Sequence, residues 1–155
     1  MSNPIKPGIM KKIIFAALAL FTIGIATASA DKNRIITKEN LPQKSQQFIN
    51  SHFSSIKVSY VKEEYDFFEK SFEVVFADGS KVEFARNGEW KEVDCRYTAV
   101  PTPIVPQAIV KYIKSNYPDV KVLQIEKKRS DYEVKISNRL ELTFDSKYNI
   151  IDIDD

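Results

Sequence analysis

The stretch Phe72-Glu73-Val74-Val75-Phe76-Ala77-Asp78-Gly79-Ser80-Lys81-Val82-Glu83-Phe84-Ala85 decides the fold. Phe72, Val74 and Phe76 alternate with Ser71, Glu73 and Val75, and Val82 and Phe84 alternate with Lys81, Glu83 and Ala85. Period two with one apolar side marks a sheet covered on one face. Asp78-Gly79 between the runs is a hairpin signal, because glycine accepts the positive φ that a tight turn requires. Asn87-Gly88 is a second such turn and leads into a strand around Trp90 to Val93.

Working outward, the same order recurs later in the chain. Leu41-Pro42-Gln43 returns as Val105-Pro106-Gln107, and Phe48-Ile49, Phe53 and Val58 match Tyr112-Ile113, Tyr117 and Val122 at the same offset. After a four-residue deletion Phe72-Glu73-Val74 matches Tyr132-Glu133-Val134, Val82 and Phe84 match Leu142 and Phe144, and Val93-Asp94 matches Ile153-Asp154. A collinear series of this kind reads as an internal duplication. Pro42 and Pro106 suit the first turn of a helix, where a missing N–H costs nothing. Ile109, Tyr112 and Ile113 follow at helical spacing, and Pro118 ends the run. The second copy turns at Asn138-Arg139 and Tyr148-Asn149, without glycine.

The expected fold is α+β: a tandem repeat of one helix plus a four-stranded antiparallel sheet. The helices lie on one face and the other sheet face is open. The copies span about residues 37–96 and 101–155, with Arg96 to Pro103 as the linker. A unit of roughly 60 residues buries too little surface to stand alone, so the two sheets are expected to join or pack into one cooperative unit.

Ten Phe and seven Tyr among 155 residues argue for a packed core rather than a disordered chain. Residues 1–30 hold Lys6, Lys11 and Lys12 and no acid, which leaves 20 basic and 21 acidic side chains in the rest. A polybasic footprint for nucleic acid is therefore missing from residues 31–155. Lys11-Lys12, the uncharged run Ile13 to Ala30 and the small residues Ala28 and Ala30 are the parts of a secretory signal peptide. Residues 1–30 read as that signal, with cleavage before Asp31 and Met10 as an alternative start. Residues 31–155 then work in a periplasm or outside the cell, with no stable membrane insertion after cleavage. Cys95 is the single cysteine and can form no internal disulfide.

The stretch Gly88-Glu89-Trp90-Lys91-Glu92-Val93-Asp94-Cys95, the Val105-Pro106 helix start and Asp131-Tyr132-Glu133-Val134 resemble the PepSY-like family of exported bacterial proteins. That family, common in Bacteroidetes, is also described as resembling the β-lactamase-inhibitor protein. The resemblance covers about residues 37–155. It implies a tandem helix-and-strand fold with a continuous antiparallel sheet presenting a concave face, and no established activity. β-Lactamase inhibition belongs to a distant structural relative with disulfides that this chain cannot make, so neither it nor any functional residue is carried over.

Chemistry-bearing patterns are sparse. His52, the single histidine, ends the first predicted helix without an orienting partner, and Cys95 lies near a strand end in another element. Structural zinc wants four Cys or His ligands, and the chain has two. Asp152, Asp154 and Asp155 form an acidic end without the spacing of a calcium loop. No phosphate-binding glycine loop occurs, and Glu63-Glu64 beside Lys62 read as solvated hairpin charges. No cofactor and no metal are expected.

The segment Tyr65-Asp66-Phe67-Phe68 stands apart, because aromatic clusters at a hairpin tip have little core within reach and are enriched in binding surfaces. The competing reading has Phe68 starting the next strand and packing under the helix. Trp90 is a further candidate anchor, although its counterpart Ile150 argues for packing. The function expected is a non-catalytic exported binding module. It would engage an unidentified protein or peptide through the open face around Glu73, Glu83, Lys135 and Glu141, with Tyr65, Phe67, Phe68 and Trp90 as contacts, and could inhibit or modulate an envelope or secreted protein. The alternatives are a small hydrolase or redox protein using Cys95 and His52, and an envelope protein that self-associates through a sheet edge.

Overall fold

The computed structural model describes residues 33–155. The signal-peptide reading, with Ala28 and Ala30, lies outside the described residues. In chain order the elements are β1 (Arg34–Ile36), α1 (Gln43–His52), β2 (Val58–Asp66), β3 (Glu69–Phe76), β4 (Lys81–Ala85), β5 (Trp90–Asp94), α2 (Gln107–Asn116), β6 (Val122–Lys127), β7 (Asp131–Ile136), β8 (Glu141–Asp145) and β9 (Ile150–Asp154). All nine strands among the described residues form one open antiparallel sheet in sequence order, so these residues make an α+β fold with two α-helices and a single sheet.

Each helix begins behind a proline, Pro42 or Pro106, and each lies on the same side of the sheet. Alternation sends Val61, Phe72, Val74, Phe76, Val82 and Phe84 toward α1, where they are buried with Ile49 and Phe53. The Phe53 ring stacks on Phe76 with centroids 4.7 Å apart, and Phe48 meets the edge of Phe84 at 5.5 Å. In the later half Ile109 and Ile113 of α2 share the core with Ile125, Val134, Leu142 and Phe144, and Tyr112 stands edge-on to Phe144 at 5.4 Å. Each of these large apolar side chains contributes about 1.5–3 kcal/mol by leaving water.

The expected pair of sheets is continuous because β5 pairs with β6 at Glu92↔Glu126, Val93↔Ile125 and Asp94↔Gln124. The Cys95 N–H then donates to the Leu123 carbonyl and the Val100 N–H to the Val122 carbonyl, both at 2.8 Å. The segment expected as a linker is accordingly tied down, with Val100 buried in it and Ile104 buried just after it. The ninth strand, β1, lies outside the expected layout. Its three residues are too short to show periodicity, and it is placed by pairing Arg34↔Glu63 to Ile36↔Val61.

Register shifts fall between Val58 and Tyr60, Glu83 and Phe84, Val122 and Gln124, and Thr143 and Phe144. Gly79 and Gly88 take φ near +85°, and the turns of the later half place Arg139 and Tyr148 at positive φ instead.

Candidate functional site

β2 and β3 form the longest hairpin, paired out to Asp66↔Glu69, so Phe67 and Phe68 alone make its tip. Phe67 sits at φ 47°, a region that a bulky side chain rarely adopts. The alternative in which Phe68 packs under a helix is not what forms: Phe67 is 94% and Phe68 103% exposed. Tyr65, on the helix side of the same strand, is partly exposed. Lys70 places its ammonium 5.4 Å from the Tyr65 ring centroid and 5.1 Å from that of Phe72, a double cation–π arrangement.

Beneath this layer lies Glu63, which is only 2% exposed and ion-paired to both Lys70 and Arg34. The sequence reading of Glu63-Glu64 as solvated charges is therefore wrong for Glu63. Period two places it on the same side as Val61 and Tyr65, and that parity was the signal available in the sequence. Burial alone would raise the Glu63 carboxyl, but Lys70 and then Arg34 overcome it and hold the group below the usual carboxylate range. The same contact pushes the Lys70 ammonium up. Glu64 points to the other face and pairs with Lys62 at 2.6 Å.

Between the overhanging tip and the start of α1 lies a groove of about 500 Å³, lined by Leu41, Pro42, Tyr65, Phe67, Phe68 and Arg86 among others. Arg86 comes from the turn between β4 and β5, is exposed, and makes no ion pair or hydrogen bond among the described residues. Leu41 and Pro42 entered the sequence reading only as the repeat and helix start, and Arg86 not at all, because only tertiary packing brings them to the tip.

The uncovered sheet face carries Glu73, Glu83, Lys135 and Glu141 as expected from strand alternation, but tied into cross-strand ion pairs. Lys81 reaches Glu73 at 3.7 Å, Lys91 reaches Glu83 at 3.0 Å and Lys135 reaches Glu141 at 3.4 Å. Across it runs a row of carboxylates: Glu73 opposes Glu83, Glu83 opposes Glu92, Glu92 opposes Glu126 and Glu126 opposes Glu133. Burial first, then the neighbouring acids Glu126 and Glu83, push the Glu92 carboxyl up. Glu126 is likewise raised by burial, against the pull of Lys128 and with the push of Glu133.

Trp90 is not on that face. The register shift after Glu83 turns it toward Phe84 and under α1, half-buried with its ring 6.4 Å from Phe48, so it stands apart from Tyr65, Phe67 and Phe68. Cys95 is 1% exposed, and burial raises its thiol despite contacts with Ser80 and Thr98 that act the other way. A thiol in that state is a poor nucleophile. His52 is half-buried at the helix end with its ring 4.8 Å from Phe48, whereas Cys95 follows β5 with Ser80 and Thr98 beside it. Among the described residues no helix is long and apolar enough to cross a membrane.

Comparison with known proteins adds a context. The family described as "putative beta-lactamase-inhibitor-like, PepSY-like" matches residues 70–152. A "putative calcium-regulated periplasmic protein" of Bacteroides thetaiotaomicron is 56% identical, with a TM-score of 0.79 over 81% of this chain and 99% of its own. A "putative periplasmic protein from DUF2874 family" of Bacteroides vulgatus ATCC 8482 is 50% identical, with the same TM-score and coverage. A "putative periplasmic protein of unknown function" from the same organism is 39% identical, with a TM-score of 0.76 over 79% of this chain and 99% of its own. No curated protein matches at a significant level.

Proposed function

Because the chain belongs to the PepSY-like family, we propose that it is a periplasmic, non-catalytic binding module that engages an envelope protein or peptide through the aromatic β2–β3 tip and the uncovered sheet face beside it. The carrying observation is the pair Phe67 and Phe68, which stand in solvent at the end of a hairpin longer than its counterpart between β6 and β7. Two phenyl groups left in water forgo about 1.5–3 kcal/mol each, which burial in a partner would recover. Nothing in the fold needs them there, since β6 and β7 connect without such a pair. The periplasmic setting is supported by the relatives so described and by the signal-peptide pattern of residues 1–30. Inhibition or modulation of an envelope enzyme is the sharper form of the same reading.

We also read the two halves as copies of one unit. Register shifts, positive-φ turns and strand-entry bonds recur at matched positions. One example is the pair Ala77 N–H to Lys57 carbonyl and Ser137 N–H to Lys121 carbonyl, at 2.8 and 2.9 Å. The calcium named for the Bacteroides thetaiotaomicron relative forms no part of the proposal, since among the described residues no group of three or more His, Cys, Asp or Glu is placed to hold a metal ion.

The test is affinity capture from envelope extract with the mature protein and with a Phe67→Ser/Phe68→Ser variant. A partner retained by the first and lost by the second is the expected result. Identical captured sets would overturn the reading.

A further inference from the structure

We infer that the groove beneath the tip accepts a peptide segment of the partner in which a large apolar side chain stands next to a carboxylate, the apolar group lying on Pro42, Tyr65 and Phe67 and the carboxylate meeting Arg86. The inference rests on the binding-module reading and specifies its partner.

Three observations carry it. The groove, at about 500 Å³, falls in the range of about 300–1,000 Å³ typical of ligand sites, and its walls mix the rings of Tyr65, Phe67 and Phe68 with the polar groups of Asn40, Lys70 and Arg86. Its charge is one-sided: Arg34, Lys70 and Arg86 border this side of the hairpin, and Glu63 is the carboxylate that answers them. Glu63 is fully engaged by Arg34 and Lys70, which leaves the Arg86 guanidinium without an acidic partner among the described residues. A guanidinium binds a carboxylate through two parallel hydrogen bonds, a planar match that an ammonium cannot make.

The backbone that carries Arg86 is also fixed beforehand. Its turn is closed by the Ala85 N–H to the Glu89 carbonyl and the Gly88 N–H to the Ala85 carbonyl, both at 2.8 Å, and Ser45 on α1 donates to the Gly88 carbonyl at 3.1 Å. Binding then has to order the Arg86 side chain but not its backbone. The acids of the hairpin, Asp66 and Glu69, are a cross-strand pair flanking Phe67 and Phe68. They set an anionic bilayer against the tip, and that occupant becomes an outcome of the test.

The probe is a fluorescein-labelled pentapeptide Gly-Ser-Gly-Leu-Phe with a free C-terminal carboxylate, compared with its C-terminal amide by fluorescence anisotropy on the mature protein. The expected result is that the acid binds at least about tenfold more tightly than the amide, and that Arg86→Ala removes this difference. Phe67→Ser is expected to weaken both peptides. Equal binding of acid and amide, an Arg86→Ala variant that still discriminates, or no binding of either peptide overturns the inference. So does co-sedimentation of the protein with phosphatidylethanolamine–phosphatidylglycerol vesicles that depends on Phe67 and Phe68. Arg86 is exposed and bonded to nothing in the described fold, so a thermal melt of Arg86→Ala matching the wild type separates lost recognition from lost folding. The envelope capture distinguishes the two levels. A partner that needs Phe67 and Phe68 but is retained by Arg86→Ala leaves the binding module standing and removes the carboxylate, whereas a capture independent of all three residues removes the module itself.

Discussion

Glu92 lies directly opposite Glu126 on the strand pair β5–β6, the ladder that joins the two halves of the sheet. Like charges facing each other across strands are destabilising, by a magnitude of about 0.2–1 kcal/mol. Lysines at either side, Lys91 and Lys128, draw on Glu83 and Glu133, and Gln124 donates to Glu92 at 2.6 Å. Both carboxyls are raised by burial and by the other acids of the row. An acid whose pKa is higher in the folded state than in the unfolded chain binds more protons when folded, so its contribution falls as pH rises through that interval. This pair therefore makes the protein less stable at neutral pH than at the ordinary carboxylate value of about 4.5.

Glu92→Gln keeps an acceptor for Gln124 and removes the repulsion. The expected result is a melting temperature at pH 7 raised by about 1–5 °C, with a weaker decline of stability between pH 5 and 7 than in the wild type. Thermal melts across that range measure it. A variant with an unchanged pH profile would remove Glu92 from the account.

Glu63 carries the opposite sign. Its folded pKa is lowered, so its stabilisation is present above the unfolded value of about 4.5 and is lost as pH falls through the folded one. Replacement by alanine strips both Lys70 and Arg34 of their acid, and Lys70 is the more enclosed of the two. Glu63→Ala is expected to lose about 1–3 kcal/mol in urea unfolding at pH 7 and to show a shallower acid transition than the wild type.

How far these features could be read beforehand differs from residue to residue. Alternation in residues 72–85 and the prolines before each helix gave the strands and the covered face, because burial and period two act locally. Trp90 escaped that reading, since the register shift after Glu83 moves the strand's phase by one residue and so reverses which face a side chain occupies. Glu63 escaped it as well, because its neutralising partner Arg34 comes from a three-residue strand with no pattern of its own. Tyr65, Phe67 and Phe68 were legible as a cluster, whereas Arg86 joins them through a turn that only the packing of α1 brings near.

Cys95 offers a check on the non-catalytic reading. Its thiol is buried and raised in pKa, so an aqueous thiol reagent is expected to react with it only after unfolding. Cys95→Ser is expected to retain all partner binding and to cost about 1–3 kcal/mol, as a buried hydroxyl replaces the thiol beside Ser80 and Thr98. Loss of a native activity in a Cys95→Ser variant that still folds would return the enzyme alternative.

The two turn glycines predict different costs. Gly79 and Gly88 share a positive φ, so alanine is strained at either position. At Gly79 an added Cβ meets only a Tyr97 ring atom at 3.9 Å, an ordinary contact. At Gly88 it would stand 2.8 Å from the Pro42 Cβ and 3.2 Å from both the Lys44 Cβ and the Ser45 Oγ, so the turn and the start of α1 must move apart. Gly79→Ala is expected to cost about 1 kcal/mol, and Gly88→Ala at least about twice that, in urea unfolding. The displacement at Gly88 also shifts the neighbouring Arg86 and Pro42, so Gly88→Ala is expected to weaken the carboxylate peptide while Gly79→Ala leaves it unchanged. Equal costs at the two glycines would show that the turn does not lean on α1, and with that the fixed backbone beneath Arg86 would be lost.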